Sequence, residues 1–449
     1  MSSILILQTT AYRGPDFIRE DQVDILIDQG RIVAIDRGIR APNAKQIDGR
    51  DFFVTPGFVN AHFHPSQQQN RALGVGLDHA KQMDLLHATS KIKDDEDKYW
   101  FSLLAIIEGL KCGTTCFYSV GSDIAAQVQC YQELGVRAAC TMIPKDIEAT
   151  EKNAPLRANV WATEERLRVA EELHQKYHGE LIRIHFGACN VRYASDRLIL
   201  GMQALAEKYN VGYHMHAAEG QSYVDSVLLR TGHRSVEHLH RIGALSPRVS
   251  LAHATKLTAE EIGYIAQSGT HIVHCPRANA YVAVGTCPVK ELLDAGVNIA
   301  LGSDAAINNN SNEVRGEAHA VFNNLAARYE QSDSVHYLTL FRMLTENGTR
   351  AIGIASDVGV IETGKKADVV LWSKNDIPFI PGHNYLADLI FADSCRAHTI
   401  LVDGRIVFEN YRPMFVNELE IIRRTREASE RYHEIFRANV SEHLEDNSK

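Results

Sequence analysis

PGFVNAHFHP, residues Pro56–Pro65, closes an apolar run containing Phe52, Phe53, Val54, Phe58 and Val59 with two histidines one residue apart. Side chains alternate faces along a strand, so His62 and His64 point the same way. Two imidazoles side by side at a strand end can hold a borderline-soft cation such as zinc or iron. The plainer reading is two polar residues where a strand meets solvent, and HxH alone does not separate the two. The later sequence does. Other strand ends also finish in His or Asp, and a mononuclear centre needs several such ends converging.

Working outward from Pro56 to about residue 360, strand-like and helix-like segments alternate. The strand candidates are Phe58–His64, Thr114–Tyr118, Val136–Met142, Leu181–Ala188, Val211–His216, Val249–His253, His271–His274 and Ile299–Asp304. Between them lie helical patterns such as Lys98–Lys111, Ala162–Tyr177, Arg197–Tyr209, Ala259–Gln267 and Glu313–Tyr329. Gly135, Asn210, Gly269 and Gly296 each fall just before the next strand, where helices commonly end. Eight strands alternating with helices are the pattern of an α/β protein, a (β/α)8 TIM-like barrel, whose catalytic groups sit at the C-terminal ends of the strands.

The two ends of the chain resemble each other. Ile4–Leu7, Val23–Asp28 and Arg31–Asp36 are β-rich, with a turn at Gln29-Gly30. Ala367–Trp372 and Thr399–Asn410 are similar, the latter folded around Asp403-Gly404, a favoured hairpin dipeptide. We expect residues 1–56 and 361–415 to combine into one small β-sandwich domain beside a barrel of residues 57–360. The tail, 416–449, is a Glu- and Arg-rich helix. Its apolar residues Ile421, Ile422, Tyr432, Ile435, Phe436 and Val440 would pack on the body or on a partner subunit.

The whole chain sets limits. Its 449 residues exceed one small core. Hydrophobic residues at 45% and charged residues at 23% are ordinary for a globular enzyme. The net charge of −9 and the absence of a basic stripe argue against a nucleic-acid partner. No apolar run is long enough to span a bilayer, and the N-terminus lacks the pattern of a signal peptide. The eight cysteines form no CxxC pair, which fits free thiols in a reducing cytoplasm. A homo-oligomer is expected.

Polar residues gather where the barrel strands end. After His62 and His64, the fifth strand ends YHMHAAEG, giving His214 and His216 on one face and Glu219 three residues on. The sixth gives His253, the seventh His274 and the eighth Asp304. One such histidine is more often a hydrogen-bonded core residue than a ligand. A ring of them at five strand ends is harder to explain by packing, since burying unpaired polar groups costs several kcal/mol. His233, His238 and His240, in helical sequence, read as surface or packing residues.

The stretches PGFVNAHFHP, HMHAAE, LAHA, HCPRAN and LGSDAAINNNSN resemble the successive motifs of the amidohydrolase superfamily. Their order is similar to its branch of S-adenosylhomocysteine/methylthioadenosine deaminases, guanine deaminases and triazine chlorohydrolases. The resemblance implies that His62, His64, His216 and Asp304 hold one divalent metal ion, zinc first and iron second. It implies that Glu219 shuttles protons and that His253 orients the water and the substrate, with Asp304 also taking the water's proton. A metal in such a set lowers the pKa of water to about 7. The superfamily's two-metal design generally uses a carboxylated Lys on the fourth strand, and Leu181–Asn190 contains no Lys. The other zinc-deaminase fold needs PCxxC, which is absent.

Two stretches depart from the adenosine-type pattern: PSQQQNRALG after the HxH pair, and Cys189-Asn190 where a purine-holding His is usual. Gln67, Gln68, Arg71, Asn190, Arg192 and His274 are candidate substrate contacts, because amides and guanidinium groups can read a planar heterocycle. Pro144–Trp161, long and aperiodic after the third strand, is a candidate lid. The expected activity is hydrolytic deamination of an amino-substituted aromatic N-heterocycle of purine, pterin, pyrimidine or triazine type. The rivals are displacement of chloride or alkylamine from an s-triazine-like ring, opening of a cyclic amide, and a non-catalytic binding protein.

Overall fold

The computed structural model describes residues 3–77, 79–148 and 157–446. Eight parallel strands pair in sequence order: Phe58–Phe63, Thr114–Val120, Arg137–Thr141, Ile182–Gly187, Tyr213–Ala217, Val249–His253, His271–His274 and Ile299–Leu301. The eighth returns to the first through a bridge between Phe63 and Asp304, and the Asp304 N–H donates to the His62 carbonyl at 2.9 Å. Helices alternate with the strands, so the (β/α)8 reading holds. The helix starts are encoded locally. Asp94 and Ser195 accept from first-turn N–H groups, and Thr258 forms a capping box with Glu261. One long helix escapes the sequence pattern: His79–Ile92, after the first strand.

Both chain ends build a second, nine-stranded sheet. Phe52–Pro56 from the start pairs antiparallel with Val369–Ser373 from the end, which joins the two halves. Ile4–Arg13 pairs with Ile18–Asp28 on one edge and with Lys45–Asp48 and Phe52–Pro56 on the other. Ile25, Ile27 and Ile32 therefore meet Val369, Leu371 and Leu401 in one apolar core, separate from that of the barrel. The turns at Gly30 and Gly404 touch. A Cβ on Gly404 would lie 2.7 Å from the Gly30 Cα, and both residues are at positive φ, so glycine is required twice over.

The sheet and the barrel share a continuous strand path through Gly57, where a Cβ would strike the Thr115 side chain at 2.0 Å. Around this junction Phe53 stacks on Tyr385 at 4.4 Å, and the Trp372 indole donates to Thr55 Oγ1 at 2.9 Å. Below it, Arg137 from the third barrel strand grips Asp368 through two bonds of 2.5 and 3.0 Å, both side chains buried. The tail helix Glu418–Asp446 lies on the chain's own body: Tyr432 Oη donates to Asp97 at 2.6 Å and packs edge-on to Phe101. The side chains of Ile435, Phe436 and Val440 lie outside the described residues.

Removing one partner of a buried ion pair leaves the other charged and unpaired. Arg137→Ala is expected to lower unfolding stability by about 3–5 kcal/mol. The Arg137→Ala/Asp368→Ala pair should lose less than the sum of the two single variants, in a double-mutant cycle read by urea denaturation.

Candidate active site

The fold brings the strand-end residues together. His62, His64 and His216 place one ring nitrogen each within 4.8 Å of one another, and His62, His253 and Asp304 form a second such group. Asp304 Oδ1 lies 3.4 Å from His62 Nε2 and 3.5 Å from His64 Nε2. His62 Nε2 is buried without a hydrogen-bond partner. Such an orphaned nitrogen, faced by other imidazoles and one carboxylate, is what a divalent cation would satisfy, so the donor set fits a metal ion.

Local backbone aims these groups. Asp304 and His253 sit in the left-handed region, at φ 61° and 75°, which ends their strands and turns their side chains across the barrel mouth. Gly302 permits the seam: a Cβ there would lie 2.5 Å from the His62 Cβ. The rear nitrogens are held. His216 Nδ1 donates to the Cys189 carbonyl at 2.7 Å, and His253 Nδ1 donates to Asn279 Oδ1 at 3.0 Å, leaving both Nε2 atoms toward the centre. Asn308 donates to Asp304 Oδ2 at 3.1 Å. Behind that loop Asn309 bonds the buried Glu317, whose carboxyl is pushed up to about 7 by burial.

The electrostatics follow from burial. Desolvation holds His62 well below its ordinary value and His64 down to about 4, and lowers His216 as well, so all three rings are neutral at pH 7. Burial alone would raise the Asp304 carboxyl, but the imidazoles of His62, His253 and His64 around it hold it well below the usual carboxylate range.

A cleft of about 730 Å³, part of it open to solvent, rises from these groups. Glu219 lines it with its carboxylate 3.9 Å from His253 Nε2. Gln67 and Asn190 also line it. Gln68 instead accepts from Asn312 at 2.8 Å, and Arg71 is paired with Glu108. Arg192 stands 5.0 Å from the ring centres of Tyr193 and Tyr223, two lining residues that the sequence did not single out. His274 lies beneath the cleft, 2% exposed, where its Nδ1 accepts from Asn279, the residue that holds His253. Met83, Leu86 and His87, all from the helix His79–Ile92, form one wall with Ile143 and Lys145. Residues 149–156 of the candidate lid lie outside the described residues. Its two flanks pair as short strands, Ile147–Glu148 with Arg157–Ala158.

Residues 53–407 match the amidohydrolase family, and the chain belongs to it. A 5-methylthioadenosine/S-adenosylhomocysteine deaminase of Desulforudis audaxviator is 28% identical over 418 residues, spanning 91% of this chain and 94% of that protein. A 5'-deoxyadenosine deaminase of Methanothermobacter thermautotrophicus is 30% identical over 417 residues, spanning 91% and 94%. Among solved structures, an adenosine deaminase from Xanthomonas campestris with bound zinc superposes with a TM-score of 0.88 at 24% identity, covering 96% of this chain and 99% of that one. An atrazine chlorohydrolase from Arthrobacter aurescens TC1 complexed with zinc gives 0.88 at 23%, covering 95% and 100%. These two likenesses carry the fold. Among the described residues no helix is long and apolar enough to cross a membrane.

The buried imidazoles make stability pH-dependent. Burial pushes His185 and His274 down to about 3. Unfolded, each would bind a proton near pH 6.5, so between pH 6.5 and 3 the unfolded chain binds more protons and stability falls as pH falls. Each ring is expected to remove up to about 2 kcal/mol by pH 5. The urea midpoint should therefore drop between pH 7 and 5, and His185→Gln should flatten that slope.

Proposed function

We propose that this protein is a mononuclear, zinc-dependent aminohydrolase that removes the exocyclic amine of a purine-type nucleoside, releasing ammonia and leaving a ring carbonyl. In this reading residues 57–360 are the catalytic barrel, and 1–56 with 361–415 are its supporting domain. The observation that carries the proposal is the convergence of three neutral imidazoles, Asp304, Glu219 and His253 at the floor of one cleft. The absence of Lys from the fourth strand favours one metal over two. The adenosine-type deaminases at 28–30% identity favour a purine ring over pterin or triazine.

His62, His64, His216 and Asp304 would hold the ion, which supplies Lewis-acid polarisation and an activated water at neutral pH. The protein's own groups do the rest. His253, fixed by Asn279, turns its Nε2 lone pair toward the reacting carbon, where it accepts from the attacking water and orients it. Glu219 delivers a proton to the ring nitrogen before attack, regains one from the attacking water and gives it to the departing amine, since ammonia leaves poorly unless protonated. The hydroxyl that becomes the ring carbonyl returns the last proton to Glu219. Tyr223, Tyr193, Met83 and Leu86 give the cleft apolar and aromatic walls suited to a flat heterocycle.

Purified protein should carry about one tightly held divalent ion per chain, and His62→Ala or Asp304→Ala should lose both metal and activity. An ammonia-release screen of the zinc-loaded protein should find adenosine-type nucleosides turned over ahead of guanine, pterins and aminotriazines. Turnover confined to chlorinated or alkylamino triazines would replace this reading with the displacement reaction. Glu219→Gln should keep the metal and bind substrate while losing at least about 10²–10⁴-fold in kcat. Loss of the metal in that variant would make Glu219 a ligand.

A further inference from the structure

The barrel layer directly under the centre is polar. His214 lies two residues before His216 on the same face of the fifth strand, one layer deeper, and is fully buried. Its Nε2 lies 2.8 Å from His62 Nδ1, and its Nδ1 lies 2.7 Å from Ser250 Oγ on the sixth strand. Ser250 Oγ in turn donates to the Tyr213 carbonyl at 3.4 Å. Beside them Tyr118 packs against His214 and shares a 3.0 Å bond with His185.

We infer that His214 is a positioning residue, which with Ser250 holds His62 in the single tautomer that presents a bare Nε2 to the metal. The inference rests on His62 being a ligand.

Only one hydrogen fits between His62 Nδ1 and His214 Nε2. Two orders of the chain are possible. In one, His62 Nδ1 donates to His214, His214 Nδ1 donates to Ser250, and Ser250 donates to the Tyr213 carbonyl, which can only accept. Every hydrogen then has an acceptor, and His62 Nε2 is an open lone pair. In the reverse order His214 donates to His62, Ser250 must turn its hydrogen onto His214 Nδ1, and the Tyr213 carbonyl loses that donor. His62 would then carry its hydrogen on Nε2 and could not bind a cation there. The fixed acceptor at the end of the chain favours the metal-binding tautomer against the pull of Asp304, whose Oδ1 at 3.4 Å is the acceptor the reverse order would offer His62 Nε2. An imidazole in this place also adds no charge to the barrel interior, as a carboxylate partner would.

The test uses His214→Leu, His214→Gln and Ser250→Ala, with zinc affinity measured by chelator competition. Imidazole tautomers are read by long-range ¹H–¹⁵N NMR of metal-free, ¹⁵N-histidine-labelled protein. His214→Leu should weaken zinc binding about 10- to 100-fold. His214→Gln, whose side-chain carbonyl reaches the place of Nε2, should recover most of that loss. Ser250→Ala removes only a hydroxyl and should convert His62 from one tautomer to a mixture, a result independent of activity. His214→Leu binding zinc within about threefold of wild type, or His62 keeping a single Nδ1–H tautomer in Ser250→Ala, would overturn the inference. Stoichiometric zinc in His62→Ala would instead remove the ligand assignment beneath it, and is read separately.

Discussion

The seam between the first and eighth barrel strands is the constraint on which the site depends. The Asp304 N–H donates to the His62 carbonyl at 2.9 Å, so the contact that closes the barrel joins the backbones of two candidate ligands. A strand sheet that failed to close would separate them. Gly302 sets how close the strands approach, and the left-handed φ of Asp304 turns the carboxylate inward only after the last ladder bond has formed. Barrel closure and assembly of the candidate site are therefore one event. The supporting sheet enters through the same strand path, because Phe52–Pro56 runs through Gly57 into Phe58–Phe63.

A second regularity concerns the nitrogens that face away from the centre. His216 is anchored by a backbone carbonyl, His253 by an amide and His62 by another imidazole. All three acceptors are neutral. Each fixes a tautomer without placing a charge in a region where an uncompensated charge would cost several kcal/mol. Asn279 links two levels of this support, since it accepts from His253 and donates to His274. His274 thus acts behind the cleft, although its place at a strand end made it a candidate for substrate contact.

Much of this was legible in the sequence because barrels write a repetitive signal. Apolar strands recur eight times, four of them just after a Gly or Asn that ends the preceding helix, and polar residues gather where five of them end. Gln29-Gly30 and Asp403-Gly404 announced the two hairpins, though not that their turns would touch. The walls of the cleft were not legible. His79–Ile92 alternates polar and apolar residues without a strong stripe, because Leu85 faces inward while Met83 and Leu86 face the cleft. Gln67 and Gln68 are adjacent and chemically identical, yet they lie on a 3-10 turn that sends one to the cleft and the other to Asn312. Tyr193 lies in a turn after the fourth strand and Tyr223 in the first turn of the helix Gln221–Thr231, and only the tertiary fold brings them to one pocket.

The division of labour between the two carboxylates follows from where each is held. Asp304 faces two imidazoles and is kept ionised by them, so its protonation is tied to the ligand set. With a divalent ion held there, one carboxylate and three neutral rings would leave the centre net positive, and the ion would supply an activated water at neutral pH. Glu219 stands outside that set, on the turn after the fifth strand and 3.9 Å from His253 Nε2. It can gain and lose a proton without altering what holds the ion. In the proposed mechanism Glu219 gives up and regains a proton twice in each turnover, and a place outside the ligand set suits that role. The HxxE spacing achieves this with one turn of backbone: the strand ends at Ala217, Ala218 takes a left-handed φ of 48°, and Glu219 is carried back over the centre it serves.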